Sequence, residues 1–233
     1  YANRRLNMTG LAKQRRVIAP AMAGFGFTER FNGERYRMVD WVEHLKHLVD
    51  VLKLDQVDLV GNSFGGGLAL QFAQAYPERV RRMVLMGSVC ISFPITYGLD
   101  EVWGYEASIE NMRKLLDLFA FNRDLVSDDL AKVRYAAASR PGVQESFSAM
   151  FPAPRQQWVD ELASEPAAVR KLEMESMIIH GRDDQVIPLQ ASLDLLELLP
   201  NCQMHVFGGC GHWVQIEHAE RFNRVVNDFL NED

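Results

Sequence analysis

The sequence predicts an α/β domain: a mostly parallel sheet covered by helices on both faces, with a helical segment inserted between two strands. Three observations lead there. Short apolar runs alternate with stretches of helical periodicity, the pattern of βαβ units. One run, Arg82-Met83-Val84-Leu85-Met86-Gly87, is apolar on successive residues, as in a strand buried on both faces. The pentapeptide Gly61-Asn62-Ser63-Phe64-Gly65 stands where a strand candidate runs into a helix of small residues. A length of 233 residues suits one large domain of this kind.

In chain order, the start reads as helix and Arg16-Val17-Ile18-Ala19 as a strand, ended by Pro20 and the loop Gly24-Phe25-Gly26-Phe27. A helix covers about residues 38–52, with Trp41, Leu45, Leu48 and Leu52 at helical spacing. Val57-Asp58-Leu59-Val60 is the strand before the pentapeptide, and the helix after it stops at Tyr76-Pro77. Beyond the 82–87 strand the alternation breaks. Residues 88–173 are helix-rich, aromatic and Met-rich, with turns at Arg140-Pro141-Gly142 and Phe151-Pro152-Ala153-Pro154. They read as a helical cap inserted into a sheet core of residues 1–87 and 174–233. Met177-Ile178-Ile179-His180-Gly181 and Gln203-Met204-His205-Val206-Phe207-Gly208 resume the strands, each followed by a helix, over 189–199 and 217–230.

Composition narrows the partners. A hydrophobic fraction of 48% with 24% charged residues is that of an ordinary globular chain with a sizeable core. The net charge of −6 and the lack of a basic stripe argue against nucleic acid; Arg79, Arg81 and Arg82 read as a solvated face. No apolar run reaches the ~20 residues of a membrane helix, so no membrane partner is expected. Three cysteines, an odd number, fit reduced thiols in a cytoplasm. His44 and His47 lie three apart on a helix without further ligands, so they read as solvent-facing and no metal site is expected. His180, ending a buried strand, reads as a packed core histidine.

A serine hydroxyl is a weak nucleophile at neutral pH and needs a base oriented by a third group. A G-x-S-x-G at a strand-to-helix turn is the nucleophile elbow of α/β-hydrolases, whose partners follow in the order Ser, acid, His. Here Gly181-Arg182-Asp183-Asp184 follows one strand and Gly211-His212-Trp213 follows the last. Ser63, Asp184 and His212 therefore fall at the carboxyl ends of three strands, where open α/β sheets bind ligands. Asp183 competes as the acid. An oxyanion hole needs two donors, the first expected from the N–H of Phe64.

Gly61-Asn62-Ser63-Phe64-Gly65-Gly66-Gly67-Leu68-Ala69-Leu70 resembles the meta-cleavage product hydrolases of bacterial aromatic degradation. So do residues 79–88, Val102-Trp103-Gly104-Tyr105, and residues 144–155, 180–189 and 210–218. The nearest pattern is the subgroup acting on 2-hydroxymuconic semialdehyde and its 6-alkyl analogues, and it covers essentially the whole chain. The resemblance implies hydrolysis of a carbon–carbon bond in 2-hydroxy-6-oxohexa-2,4-dienoates, with no metal or organic cofactor. In that reaction the enol is ketonised, the C6 carbonyl is attacked, and the fragment leaves as a dienolate. His212 moves the protons, Asp184 holds its tautomer, and Ser63 either attacks or activates water. The resemblance also implies that Arg134 grips the dienoate carboxylate, as a guanidinium fork does through charge-assisted bonds. It places Asn3 and Asn62 near the dienoate end, Trp213 as an aromatic beside the catalytic histidine, and Trp103 and Val186 at the pocket for the C6 substituent. A homo-oligomer is compatible with this pattern.

The chain departs from the family pattern in places. Ala21 replaces the usual Asp, which is expected to loosen the loop after Pro20, and Gly209 replaces an Arg before Cys210-Gly211-His212. No Gly-rich oxyanion loop precedes the elbow, and the chain starts with Tyr1 rather than Met. Relatives carry two antiparallel strands, a further parallel strand and that loop ahead of this point. The sequence is therefore expected to be a fragment of a longer product. The alternatives are a carboxylesterase on the same fold and an inactive fragment lacking the loop.

Overall fold

A computed structural model describes residues 5–30 and 36–232 of the chain. In chain order it comprises α1 (Arg5–Leu11), α2 (Met38–Val51), β1 (Val57–Asn62), α3 (Phe64–Ala75) and β2 (Val80–Met86). Six helices follow: α4 (Tyr97–Trp103), α5 (Ile109–Phe119), α6 (Asp128–Ala138), α7 (Val143–Met150), α8 (Gln156–Leu162) and α9 (Pro166–Val169). The chain then returns through β3 (Glu175–Gly181), α10 (Leu189–Leu198), β4 (Cys202–Phe207), α11 (Val214–Glu217) and α12 (Ala219–Asn231). The strands form one parallel sheet in the order β1-β2-β3-β4.

Alternation along β2 explains the double-sided burial. Met83 and Leu85 join the core shared with Leu70 and Phe72 of α3, while Val84 and Met86 face Phe222, Val226 and Phe229 of α12. On the α12 side α1 is tied down by amides: Asn7 Nδ2 donates to the Gln215 carbonyl at 2.9 Å, and Arg15 to Asn227 Oδ1 at 2.8 Å.

Several expectations need correction. Residues 16–19 are not a strand, because among the described residues no neighbour offers them a ladder, and extended backbone without one is not a sheet member. Of the arginines after Pro77, Arg81 is exposed as expected, whereas Arg79 is half-buried and Arg82 buried. Arg82 is 4% exposed and pairs with Glu175, Arg79 reaches Asp50 and the Leu54 carbonyl, and Arg81 reaches Asp58. On α2 the expected stripe is only half realised: Trp41 is buried, whereas Leu45, Leu48 and Leu52 are half-buried. The helix expected over 217–230 is α12, which begins two residues later, with the short α11 and His218 ahead of it.

The helices between β2 and β3 lie over the carboxyl ends of the strands. The Ser164 N–H donates to Cys90 O at 2.8 Å, Phe151 meets Phe64 edge-on at 6.4 Å, and the Trp213 N–H donates to Phe119 O at 3.2 Å. The loop after Pro20 has hydrogen bonds of its own. Gly24 N–H donates to Glu29 O, Phe25 N–H to Met22 O, and Trp41 Nε1 to Ala23 O.

Phe72 is fully buried beneath the sheet. Phe72→Ala is expected to lower unfolding free energy by about 3–5 kcal/mol in a denaturant titration. Val51→Ala, at a 62% exposed site, is expected to change it by less than about 0.5 kcal/mol.

Candidate active site

Ser63 occupies the turn between β1 and α3 with φ 56° and ψ −120°, a left-handed conformation that a non-glycine residue holds at a cost of about 1–3 kcal/mol. The turn is fixed from both ends of the residue. The Ser63 N–H donates to Met86 O at 2.8 Å, and its carbonyl accepts from Gly66, Gly67 and Val89. Only glycine fits at position 61, where a Cβ would lie 2.3 Å from Gly65 O. Phe64 is the first residue of α3, so its N–H belongs to the helix turn without intrahelical partners.

Met86 is followed by Gly87, at φ +42°. A Cβ there would stand 3.0 Å from Asp184 Oδ2 and 3.2 Å from His212 Nδ1. The end of β2 therefore carries the backbone that holds Ser63 and, one residue on, the gap into which the Asp184–His212 pair fits. His212 Nδ1 lies 2.8 Å from Asp184 Oδ2, with both side chains buried. A carboxylate accepts, so Nδ1 carries the proton and Nε2 is left as the basic nitrogen. The other oxygen, Oδ1, accepts from the N–H groups of Val186 at 2.7 Å and Ile187 at 3.0 Å. Burial pushes the Asp184 carboxyl up, but the His212 contact, the nearby His180 and the Ile187 N–H outweigh it and hold Asp184 below its ordinary value. Asp183 does a different job. Its Oδ2 takes the Gly209 N–H at 2.9 Å and lies 3.3 Å from Arg182, bracing the loop before His212. Gly209 sits at φ +62°, a conformation in which an arginine would be strained.

Arg134, on α6, reaches the same region. Its guanidinium carbon stands 4.9 Å over the Trp213 ring and 5.9 Å over Phe119. Phe119 in turn stacks on Trp213 at 4.8 Å and on the His212 imidazole at 5.8 Å. Burial pushes the Arg134 guanidinium down to about 10, against the opposing pull of Tyr105, so it remains a cation at neutral pH. Trp103 joins the elbow through a file of rings: it stacks on Phe151 at 4.6 Å, and Phe151 meets Phe64. Val186 is fully buried beside Asp184. The Asn62 amide is engaged in the scaffold, donating to Met86 O at 3.1 Å and receiving Gln215 Nε2 at 3.4 Å. Asn3 lies outside the described residues. Among the described residues no group of three or more His, Cys, Asp or Glu could hold a metal ion.

Sequence reasoning missed several contributors. Gly87 carried only the weak signal of a glycine ending a strand. Glu217 joins two segments far apart in sequence, its Oε1 taking the Gly211 N–H at 2.7 Å and its Oε2 the Asn122 N–H at 2.8 Å. Its spacing of five from His212 was visible, but no local rule gives that spacing a meaning. Phe119, one aromatic among many in residues 88–173, carried no signal of its stacking on the His212 imidazole.

Comparison with known proteins agrees with this geometry. Residues 3–219 match the family described as alpha/beta hydrolase fold. The chain is 60% identical over 232 residues to 2-hydroxymuconate semialdehyde hydrolase of Pseudomonas sp. strain CF600, covering 100% of this chain and 82% of that protein. It is 59% identical over 230 residues to 2-hydroxy-6-oxo-2,4-heptadienoate hydrolase of a Pseudomonas putida strain, covering 99% and 83%. Among solved structures, the meta-cleavage product hydrolase CumD of Pseudomonas fluorescens IP01 superimposes with a TM-score of 0.98 at 55% identity, covering 99% of this chain and 85% of that one. The buried Asp184–His212 pair beneath a strained serine turn thus belongs to a known lineage: this chain is a member of the α/β-hydrolase family, within its meta-cleavage product hydrolases.

Proposed function

We propose that this chain hydrolyses the carbon–carbon bond of 2-hydroxy-6-oxohexa-2,4-dienoates, with Ser63, His212 and Asp184 as the reacting set and Arg134 as the carboxylate anchor. The observation that carries the reading is the half-buried Arg134 cation, packed on Trp213 and, through Phe119, beside the His212 ring. A simple ester needs no fixed cation there, whereas a dienoate presents a carboxylate to it. The names of the Pseudomonas relatives support the same substrate class.

The geometry suggests the role of each group. His212, with its proton held on Nδ1 by Asp184, has Nε2 available to take the proton of the 2-hydroxyl and return it to C5, which makes the keto form. The bond to be broken then lies between C5 and a C6 carbonyl. Ser63 delivers the oxygen nucleophile to C6, as its own Oγ or as a water that it holds, and His212 takes the proton. The Phe64 N–H, at the positive end of α3, faces the oxyanion. Collapse of the tetrahedral intermediate breaks C5–C6 and leaves a dienolate, which His212 protonates. Water supplies the remaining oxygen of the released acid.

Trp103, Phe151 and Val186 make an apolar wall suited to the C6 substituent, and Trp213 lines the dienoate end. A cytoplasmic location is part of the proposal, supported by the free thiols of Cys90, Cys202 and Cys210. Among the described residues no helix is long and apolar enough to cross a membrane.

The yellow ring-fission product of catechol, assayed beside a simple aryl ester, tests the reading. Ser63→Ala is expected to abolish the loss of yellow colour; turnover of the ester without turnover of the dienoate would overturn the assignment. Arg134→Ala is expected to lower kcat/KM for the dienoate at least tenfold, by about 1.5–3 kcal/mol, while ester turnover changes little. Asp184→Asn, which removes the charged acceptor for the His212 proton, is expected to reduce kcat by two or more orders of magnitude, on the order of 10⁴ where the tautomer is lost completely.

A further inference from the structure

His180 is a fully buried imidazole at the end of β3 to which the proposed reaction gives no task. Its Nδ1 lies 2.7 Å from Ser192 Oγ on α10, and its Nε2 lies 3.1 Å from Ile187 O and 3.5 Å from Asp184 Oδ2. A carbonyl oxygen only accepts, so Nε2 carries a proton. Burial pushes the imidazole below its ordinary value, against the raising pull of Asp184 and the Ile187 carbonyl. The ring is therefore uncharged, and Nδ1 takes the Ser192 hydroxyl proton in its lone pair.

This tautomer has a consequence for the acid. Ile187 is held at both of its backbone groups, its N–H on Asp184 Oδ1 at 3.0 Å and its carbonyl on His180 Nε2–H. The turn that presents two N–H groups to Asp184 thus hangs from the His180 ring, and that ring hangs from α10. The Nε2 to Oδ2 distance of 3.5 Å is too long for a strong hydrogen bond, but it sets the Nε2 edge of the ring beside the carboxylate. An apolar side chain of equal size would fill the volume but leave the buried Ile187 carbonyl without its donor.

We propose that His180 is a positioning residue: as the Nε2–H tautomer that the Ile187 carbonyl selects and the Ser192 hydroxyl accommodates at Nδ1, it pins the Ile187 peptide and thereby holds Asp184 in the geometry that keeps a proton on His212 Nδ1. The inference rests on the assignment of Asp184 as the acid partner of His212.

Nitrogen-15 NMR of the histidine-labelled full chain reads the tautomers directly, with His180 identified by the signal lost in His180→Gln. The expected result is a neutral ring protonated at Nε2; a proton on Nδ1 alone, or an imidazolium, would overturn the proposal. In turnover, His180→Leu is expected to lower kcat at least about tenfold and to broaden or erase the low-field His212 Nδ1–H resonance. His180→Gln, which keeps a donor near the Nε2 position, is expected to retain both that resonance and kcat to within about threefold. Unchanged kcat and resonance in His180→Leu would overturn the positioning role. If that variant does not fold, the wild-type tautomer and the His180→Gln resonance decide the matter. Asp184→Asn separates the two levels. Full activity there removes the assignment beneath the inference, whereas activity lost in Asp184→Asn but kept in His180→Leu removes the inference alone.

Discussion

Parallel pairing of β1, β2, β3 and β4 brings Asn62, Met86, Ile179 and His205 into one hydrogen-bonded row, and the loops that matter leave the sheet just beyond it. Ser63 follows Asn62, Gly87 follows Met86, Asp184 lies on the loop after β3, and His212 lies on the loop after β4. Because both faces of β2 and β3 are buried, a slip of one residue would turn every side chain to the opposite face. The register is therefore held by the whole core, and the relative heights of serine, acid and base are held with it. Cross-bonds between the loops refine this placement: Arg182 N–H donates to Phe207 O at 2.8 Å and Asp183 N–H to Cys210 O at 2.9 Å.

Two ionisable groups then set the character of the site, and the fold treats them differently. Asp184 is surrounded by N–H donors from Val186, Ile187 and His212, so its negative charge is already satisfied before any ligand arrives. It can orient His212 without taking its proton. Arg134 lies against the faces of Trp213 and Phe119, which attract a cation through their ring quadrupoles. Phe119 links them, because the same ring touches Arg134, Trp213 and His212. The Glu217 carboxylate clamps that end of α5 to the histidine loop through the N–H groups of Asn122 and Gly211.

Much of this was legible in the chain because it is written in local code. The strand-to-helix turn needs glycine where backbones touch, so Gly61 and its neighbours announced the elbow. Continuous apolar runs announced β2 and β3, and Pro77 marked a helix end. Local code also misled. Arg16-Val17-Ile18-Ala19 has strand-like residues, but a strand is a relation between two segments, and the described residues hold no ladder for it. Arg82 looked like surface because charge is usually outside, yet Glu175 lies across the ladder and takes it.

By itself, then, the sequence determined the α/β alternation, the serine turn and the short roster of acids and bases, since each depends on residues adjacent in the chain. Tertiary structure alone decided which aspartate meets His212, which histidine is buried beside that aspartate, and which rings carry Arg134 to the base. It also decided that Gly87 must lack a side chain and that Glu217 must bridge two loops. All of these depend on distances between segments many residues apart, and a distance of that kind exists only once the parallel sheet has brought the strand ends together.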